Sequence, residues 1–154
     1  MTRPWQGEEG FTAGLESLVF GVLVFVIGTL VVVNAWAVVD ARFATAGAAR
    51  EAVRAVVEAG EDVDGEVALL ARAQSAADQS FVAHGYATPP ALVDTALDRR
   101  RCATVSVTVE VEVVPALLPG LAVTPSYTVR SSYAEVVDPF RSGLVGEGVG
   151  DCGF

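Results

Sequence analysis

Between Glu16 and Asp40 the chain runs for 23 residues without a charge, from Ser17 to Val39, reading SLVFGVLVFVIGTLVVVNAWAVV. As a helix this stretch is about 35 Å long, against a bilayer hydrocarbon core of about 30 Å. From Leu18 onward, fifteen of its residues are Leu, Ile, Phe or Val, each favouring insertion by roughly 0.3–0.6 kcal/mol near the bilayer centre. Their sum outweighs Asn34, Thr29 and the glycines, so the sequence predicts a membrane-spanning helix. A cleaved secretory signal has an apolar region of about 7–15 residues followed by small residues at the cut, and this run is longer. A soluble core helix is apolar along one stripe, whereas this one is apolar on every face.

In a chain of 154 residues, what remains beside such a segment suffices for one small domain. The net charge of −9, from 10 basic and 19 acidic residues, argues against nucleic acid as a partner, because a duplex with one phosphate per roughly 1.7 Å would repel that surface. With 52% of residues apolar, the chain is too hydrophobic to stay disordered.

Two signals disagree on orientation. The segment before the apolar run carries only Arg3, whereas the segment after it carries Arg42, Arg50 and Arg54, and basic-residue counting then favours the C-terminus inside. The two cysteines, Cys102 and Cys152, lie in the polar part, as expected of one disulfide formed in an oxidising compartment outside; two unpaired buried thiols are the alternative.

Residues 40–59 contain no Pro, one Gly and mostly strong helix formers, so the membrane helix is expected to continue as an amphipathic stalk towards Gly60. After the polar break EDVDG, a second helix is expected to end near Gly85, with Val67, Leu70, Ala71, Gln74, Ala77 and Phe81 on its apolar side. YATPPALVDTALDRRR reads as a loop with a short helix starting at the prolines. ATVSVTVEVEVV then alternates, placing Val105, Val107, Val109, Val111 and Val113 on one face of a strand and Ser106, Thr108, Glu110 and Glu112 on the other. An apolar connection, PALLPGLAVTP, leads to a second strand in SYTVRSSYAEVV, paired antiparallel with the first, and the remainder is an irregular Gly-rich tail. The expected fold is thus a membrane-anchored α+β chain, with a short N-terminal segment over 1–10, a transmembrane and stalk helix over 11–59, and a small domain over 60–154.

Catalytic signals are few. The only histidine, His84, falls at a helix end where a capping or surface role is expected, without HExxH or a Cys cluster beside it. Nucleotide-binding and nucleophile-elbow motifs are missing, and Glu110 and Glu112 share the polar face of a strand. Arg99, Arg100 and Arg101 are offset by Asp94 and Asp98, which suits a solvated turn better than a lipid or phosphate patch. The reading is of a non-enzymatic protein with no catalytic residues, no cofactor, no metal and no small-molecule substrate. Gly14, Gly21, Gly28 and Ala35 recur every seven residues, a small-residue seam along which another membrane helix can approach closely, with Asn34 beside it able to hydrogen-bond across.

A carboxylate one turn into a membrane helix is costly and calls for an interfacial position or a positive partner. Here Glu16 follows Glu8, Glu9 and Gly10 in GEEGFTAGLES, ahead of the apolar run. This arrangement resembles a type IV prepilin, with a short polar leader ending in glycine and a glutamate near the start of an apolar helix. The chain is most similar to the TadE-like minor pilins or pseudopilins of tight-adherence (Flp) pilus systems, of the actinobacterial kind. The likeness is best over residues 7–59 and weaker over 102–142, through VTVEVEVVPALLPG and VVDPFRS. The resemblance implies cutting by a membrane prepilin peptidase between Gly10 and Phe11, and neutralisation by Glu16 of a neighbouring subunit's new α-amino group during assembly. It also implies a leader in the cytoplasm, an ectodomain outside, and lateral contact with other pilin-like helices in the bilayer. One departure stands out: Glu16 is sixth after that cut, whereas the family glutamate is usually fifth, and cutting between Phe11 and Thr12 restores the count at the expense of the glycine. The alternative is an uncleaved, single-pass anchored module whose ectodomain binds or senses an envelope component.

Overall fold

The computed structural model describes residues 9–60, 63, 65–116, 126–144 and 152, with side chains from Gly14 onward. Five elements follow in order: α1 (Glu9–Val57), α2 (Glu66–Ala83), β1 (Ala91–Ala96), β2 (Thr104–Val113) and β3 (Tyr127–Val136). The strands form one antiparallel sheet of order β1-β2-β3. Helix α1 is continuous from the apolar run into the stalk, and α2, β2 and β3 all pack on its second half.

The buried face of that half is Ala41, Ala44, Thr45, Ala48, Ala49, Ala52, Val53, Val56 and Val57, a three-and-four spacing that keeps one stripe inward. Its alanines let α2 approach closely on one flank and the sheet on the other. Val105, Val107 and Val109 of β2 are fully buried against this stripe, while Ser106, Thr108 and Glu110 sit on the opposite, wetter face, in line with the alternation in the sequence. The hydroxyl of Thr45, buried in this apolar seam, lies 2.9 Å from the Ala41 carbonyl and 2.8 Å from the Ser131 hydroxyl, so α1 is tied to β3 with no orphaned polar group at the threonine.

The pair of strands expected from the sequence is in fact a sheet of three. The segment after Pro89 and Pro90 forms β1 instead of a short helix, pairing Ala91 with Glu110 and Ala96 with Ser106 around an irregularity between Leu92 and Asp94. The prolines bias their surroundings to extended backbone. Pairing then satisfies the otherwise open edge of β2 and brings Leu92 and Leu97 against the core.

The apolar side of α2 keeps Ala77 and Phe81 of the expected row and differs in its first half. Leu69, Ala73, Ala77 and Phe81 are buried, whereas Val67 is 83% exposed. Contact with an alanine-lined helix selects the row that carries Ala73 and Ala77, and the bulkier Val67 and Leu70 turn outward. The tail beyond Leu144 lies outside the described residues apart from Cys152, which is bonded to Cys102 with their Cα atoms 5.1 Å apart. Cys102 occupies a left-handed turn at φ 64° just before β2.

Candidate functional site

Among the described residues, the first half of α1 is left largely uncovered, up to a contact at Asn34. It is the one helix among the described residues long and apolar enough to cross a membrane, at a mean hydropathy of 2.7 over its most apolar window, none of it buried. Phe25 is 74% and Trp36 72% exposed. Its polar side chains are turned back onto the helix: the Ser17 hydroxyl donates to the Gly14 carbonyl and that of Thr29 to the Phe25 carbonyl, both at 2.9 Å. These bonds satisfy groups that an apolar solvent would leave unpaired.

Gly10 and Phe11 lie in the opening turns of α1, while the rest of the leader expected over 1–10 is outside the described residues. Glu16 is exposed and has no ion pair among the described residues. A Cβ added at Gly14, Gly21 or Gly28 would meet nothing within 4 Å, and Ala35 is exposed. The seam is therefore an open lane along the helix.

Asn34 is engaged within the chain. Its Nδ2 donates to the Leu30 carbonyl at 2.8 Å and to the Ala116 carbonyl at 3.1 Å, so the hairpin of β2 and β3 reaches back to the apolar run. Its Oδ1 is buried and has no hydrogen-bond partner among the described residues.

Just beyond the apolar run, Tyr86 clamps the turn after α2 onto α1 by donating its hydroxyl to Asp40 Oδ2 at 2.8 Å. Burial first, then the hydrogen bond and charge of Asp40, push the Tyr86 phenol up to about 12 from 10.0. The folded chain thus holds this proton more tightly than the unfolded one. The resulting stabilisation is complete below about pH 10 and is lost as pH rises towards 12. Tyr86→Phe is expected to cost about 1 kcal/mol at neutral pH, with the gap to the parent protein closing between pH 10 and 12; thermal midpoints of the two proteins across that range check it.

A groove of about 800 Å³ opens on the same side, lined by Val39, Arg42, Phe43, Ala46, Gly47 and Arg50 of α1, His84 after α2, and Arg130 and Ser131 of β3. His84 is the C-cap residue of α2, and its ring sits against Gly47, where an added Cβ would lie 3.3 Å from Nε2. Sequence reasoning used Arg42 and Arg50 only to weigh orientation. Their eight-residue spacing on one helix face was the available signal for this wall.

The three consecutive arginines serve the fold. Arg99 donates to the carbonyls of Val63 and Ala59, each at 2.8 Å, and of Gly60 at 3.1 Å, and Arg141 donates to Ala59 at 2.9 Å. Both guanidiniums thereby hold the turn that follows α1, close to a helix end where the dipole favours positive charge. Arg100 pairs with Asp98, whose carboxyl it holds below the usual range, and Arg101 bonds the Arg141 carbonyl. Glu110 pairs with Arg130 across the outer face of the sheet. Among the described residues no group of three or more His, Cys, Asp or Glu is placed to hold a metal ion. Comparison with known proteins finds no matching family model, curated protein or solved structure.

Proposed function

We propose that this chain is a non-enzymatic, single-pass membrane subunit or assembly factor of the TadE-like pseudopilin kind, belonging to a tight-adherence, type IV-like pilus. One observation carries the reading: a single continuous helix is divided into an apolar half that the fold leaves largely uncovered and an alanine-faced half that is the spine of a small α+β domain. The first half anchors and docks, and the second presents the domain.

In this reading the N-terminus is cytoplasmic and the domain lies outside, where the Cys102–Cys152 bond is stable. A prepilin peptidase removes the leader at Gly10 and Phe11. Glu16, exposed and unpaired among the described residues, takes the α-amino group of a neighbouring subunit. The lane of Gly14, Gly21, Gly28 and Ala35 receives another pilin-like helix.

Packing, not chemistry, is then the activity, and it is open to a direct test. Gly21→Ile fills the lane without touching the domain, since nothing lies within 4 Å of that position. Purified from host membranes, the parent protein is expected to bring down pilin-like subunits, and the variant to lose them while the domain melts unchanged. Recovery of the parent protein alone would favour the anchored binding module.

A further inference from the structure

We infer that the groove between α1, His84 and β3 is a binding site for the headgroup of an anionic phospholipid from the leaflet that α1 leaves. The inference rests on the membrane anchoring proposed above. It concerns residues that assembly through the apolar half does not use.

Position is the first argument. The apolar run ends at Val39, and the groove runs from Val39 to Arg50 along α1, about 16 Å of helix. The headgroup layer on each side of a bilayer is roughly 5–7 Å deep. The groove therefore starts at the hydrocarbon edge and crosses the layer of phosphates. Trp36, well exposed in the last turn of the apolar run, is an aromatic residue of the kind expected at an interface.

The lining matches a lipid in sequence along the helix. Val39 and Phe43 are exposed and apolar at the membrane end. Arg42, three residues past Val39, is level with the headgroups, while Arg50, about 16 Å along the helix, lines the groove beyond them together with His84 and Arg130. Three of the ten basic residues of the chain thus border the groove. Arg42 and Arg50 form no ion pair among the described residues, unlike Arg54, Arg100 and Arg130. Arg130 turns its guanidinium to Glu110 on the outer face of the sheet, so Arg42 and Arg50 carry the free charge of the groove. Arg50 is steadied over the Tyr133 ring, 5.8 Å from its centroid. Two cations held beside a groove without a carboxylate of their own leave a place for an external anion.

Charge decides between sources of that anion. The chain as a whole carries −9, so a dissolved anion or an acidic protein must approach against its field. A lipid beside the helix is already at the mouth of the groove, and each arginine at the surface strengthens its hold. The same residues then account for the basic cluster that would otherwise argue for this end of α1 being cytoplasmic.

The test uses the full chain, extracted in mild detergent from the membrane fraction that resists alkaline carbonate. Native mass spectrometry is then read after adding phosphatidylglycerol or phosphatidylcholine. The parent protein is expected to retain one phosphatidylglycerol in preference to phosphatidylcholine, and Arg42→Gln with Arg50→Gln to weaken that retention roughly thirtyfold. Arg100→Gln, outside the groove, should leave retention intact, and an unchanged melt of the double variant shows that the domain is still folded. Equal retention of the two lipids, or a preference that survives the double substitution, overturns the inference and leaves anchoring untouched. Displacement by millimolar inorganic phosphate, or occupancy of the groove by a co-purified acidic protein, overturns the lipid assignment. Absence of the chain from the carbonate-resistant fraction removes the anchoring and this site with it.

Discussion

Phe81→Ala is expected to destabilise the domain by about 3–5 kcal/mol, a large part of what a domain of this size has. Phe81 heads the fully buried side chains by volume, in a core otherwise made of alanine, valine and leucine. Its ring lies 4.9 Å from that of Tyr86, and its carbonyl accepts from the backbone of both His84 and Tyr86. The cavity would open where the last turn of α2, the turn that follows and α1 meet, with few large neighbours to collapse into it. A fall of roughly 10–20 °C in the thermal midpoint is the expected reading. Phe81→Leu, which refills most of the volume, should cost less than half as much. A Phe81→Ala protein that melts within a few degrees of the parent would show that α2 does not depend on this packing.

Arg99→Ala should cost about 3 kcal/mol, because three carbonyls in the turn after α1 lose a charged donor in one step. Ala59 keeps the Arg141 bond, whereas Gly60 and Val63 lose the guanidinium. Arg99→Lys restores the charge without the fork that spans several carbonyls and is expected to recover only part of the loss. Hydrogen exchange checks the mechanism: the amides of Glu58 and Ala59, bonded to Arg54 and Val56, should exchange faster in Arg99→Ala, while those of β2 respond only through global stability. Arg100→Ala removes only the exposed pair with Asp98 and should leave both readings unchanged.

The parts of the fold that were legible are those with a local cause. A run without charge, followed by helix formers up to Val57, specifies α1 without reference to anything else. Strict alternation of valines with polar residues does the same for β2, and the count of two cysteines leaves one intramolecular pairing. The illegible parts depend on partners. The residues Ala91–Ala96 suit the first turns of a helix as well as a strand until the free edge of β2 is present to pair with them. The buried row of α2 is set by the alanine face of α1, not by the hydrophobicity of Val67 or Leu70. The basic groove draws on α1, on the residue after α2 and on β3, so no sequence window contains it. Arg99 looks like one of three exposed charges until the end of α1 is placed beside it.

The central claim is that α1 is an anchoring and assembly helix freed at its N-terminus by a prepilin peptidase, and intact mass with N-terminal sequencing of protein extracted from membranes of its own host tests it most directly. The account expects a chain beginning at Phe11, or at Thr12, where Glu16 falls fifth. A chain that still begins with the leader contradicts it.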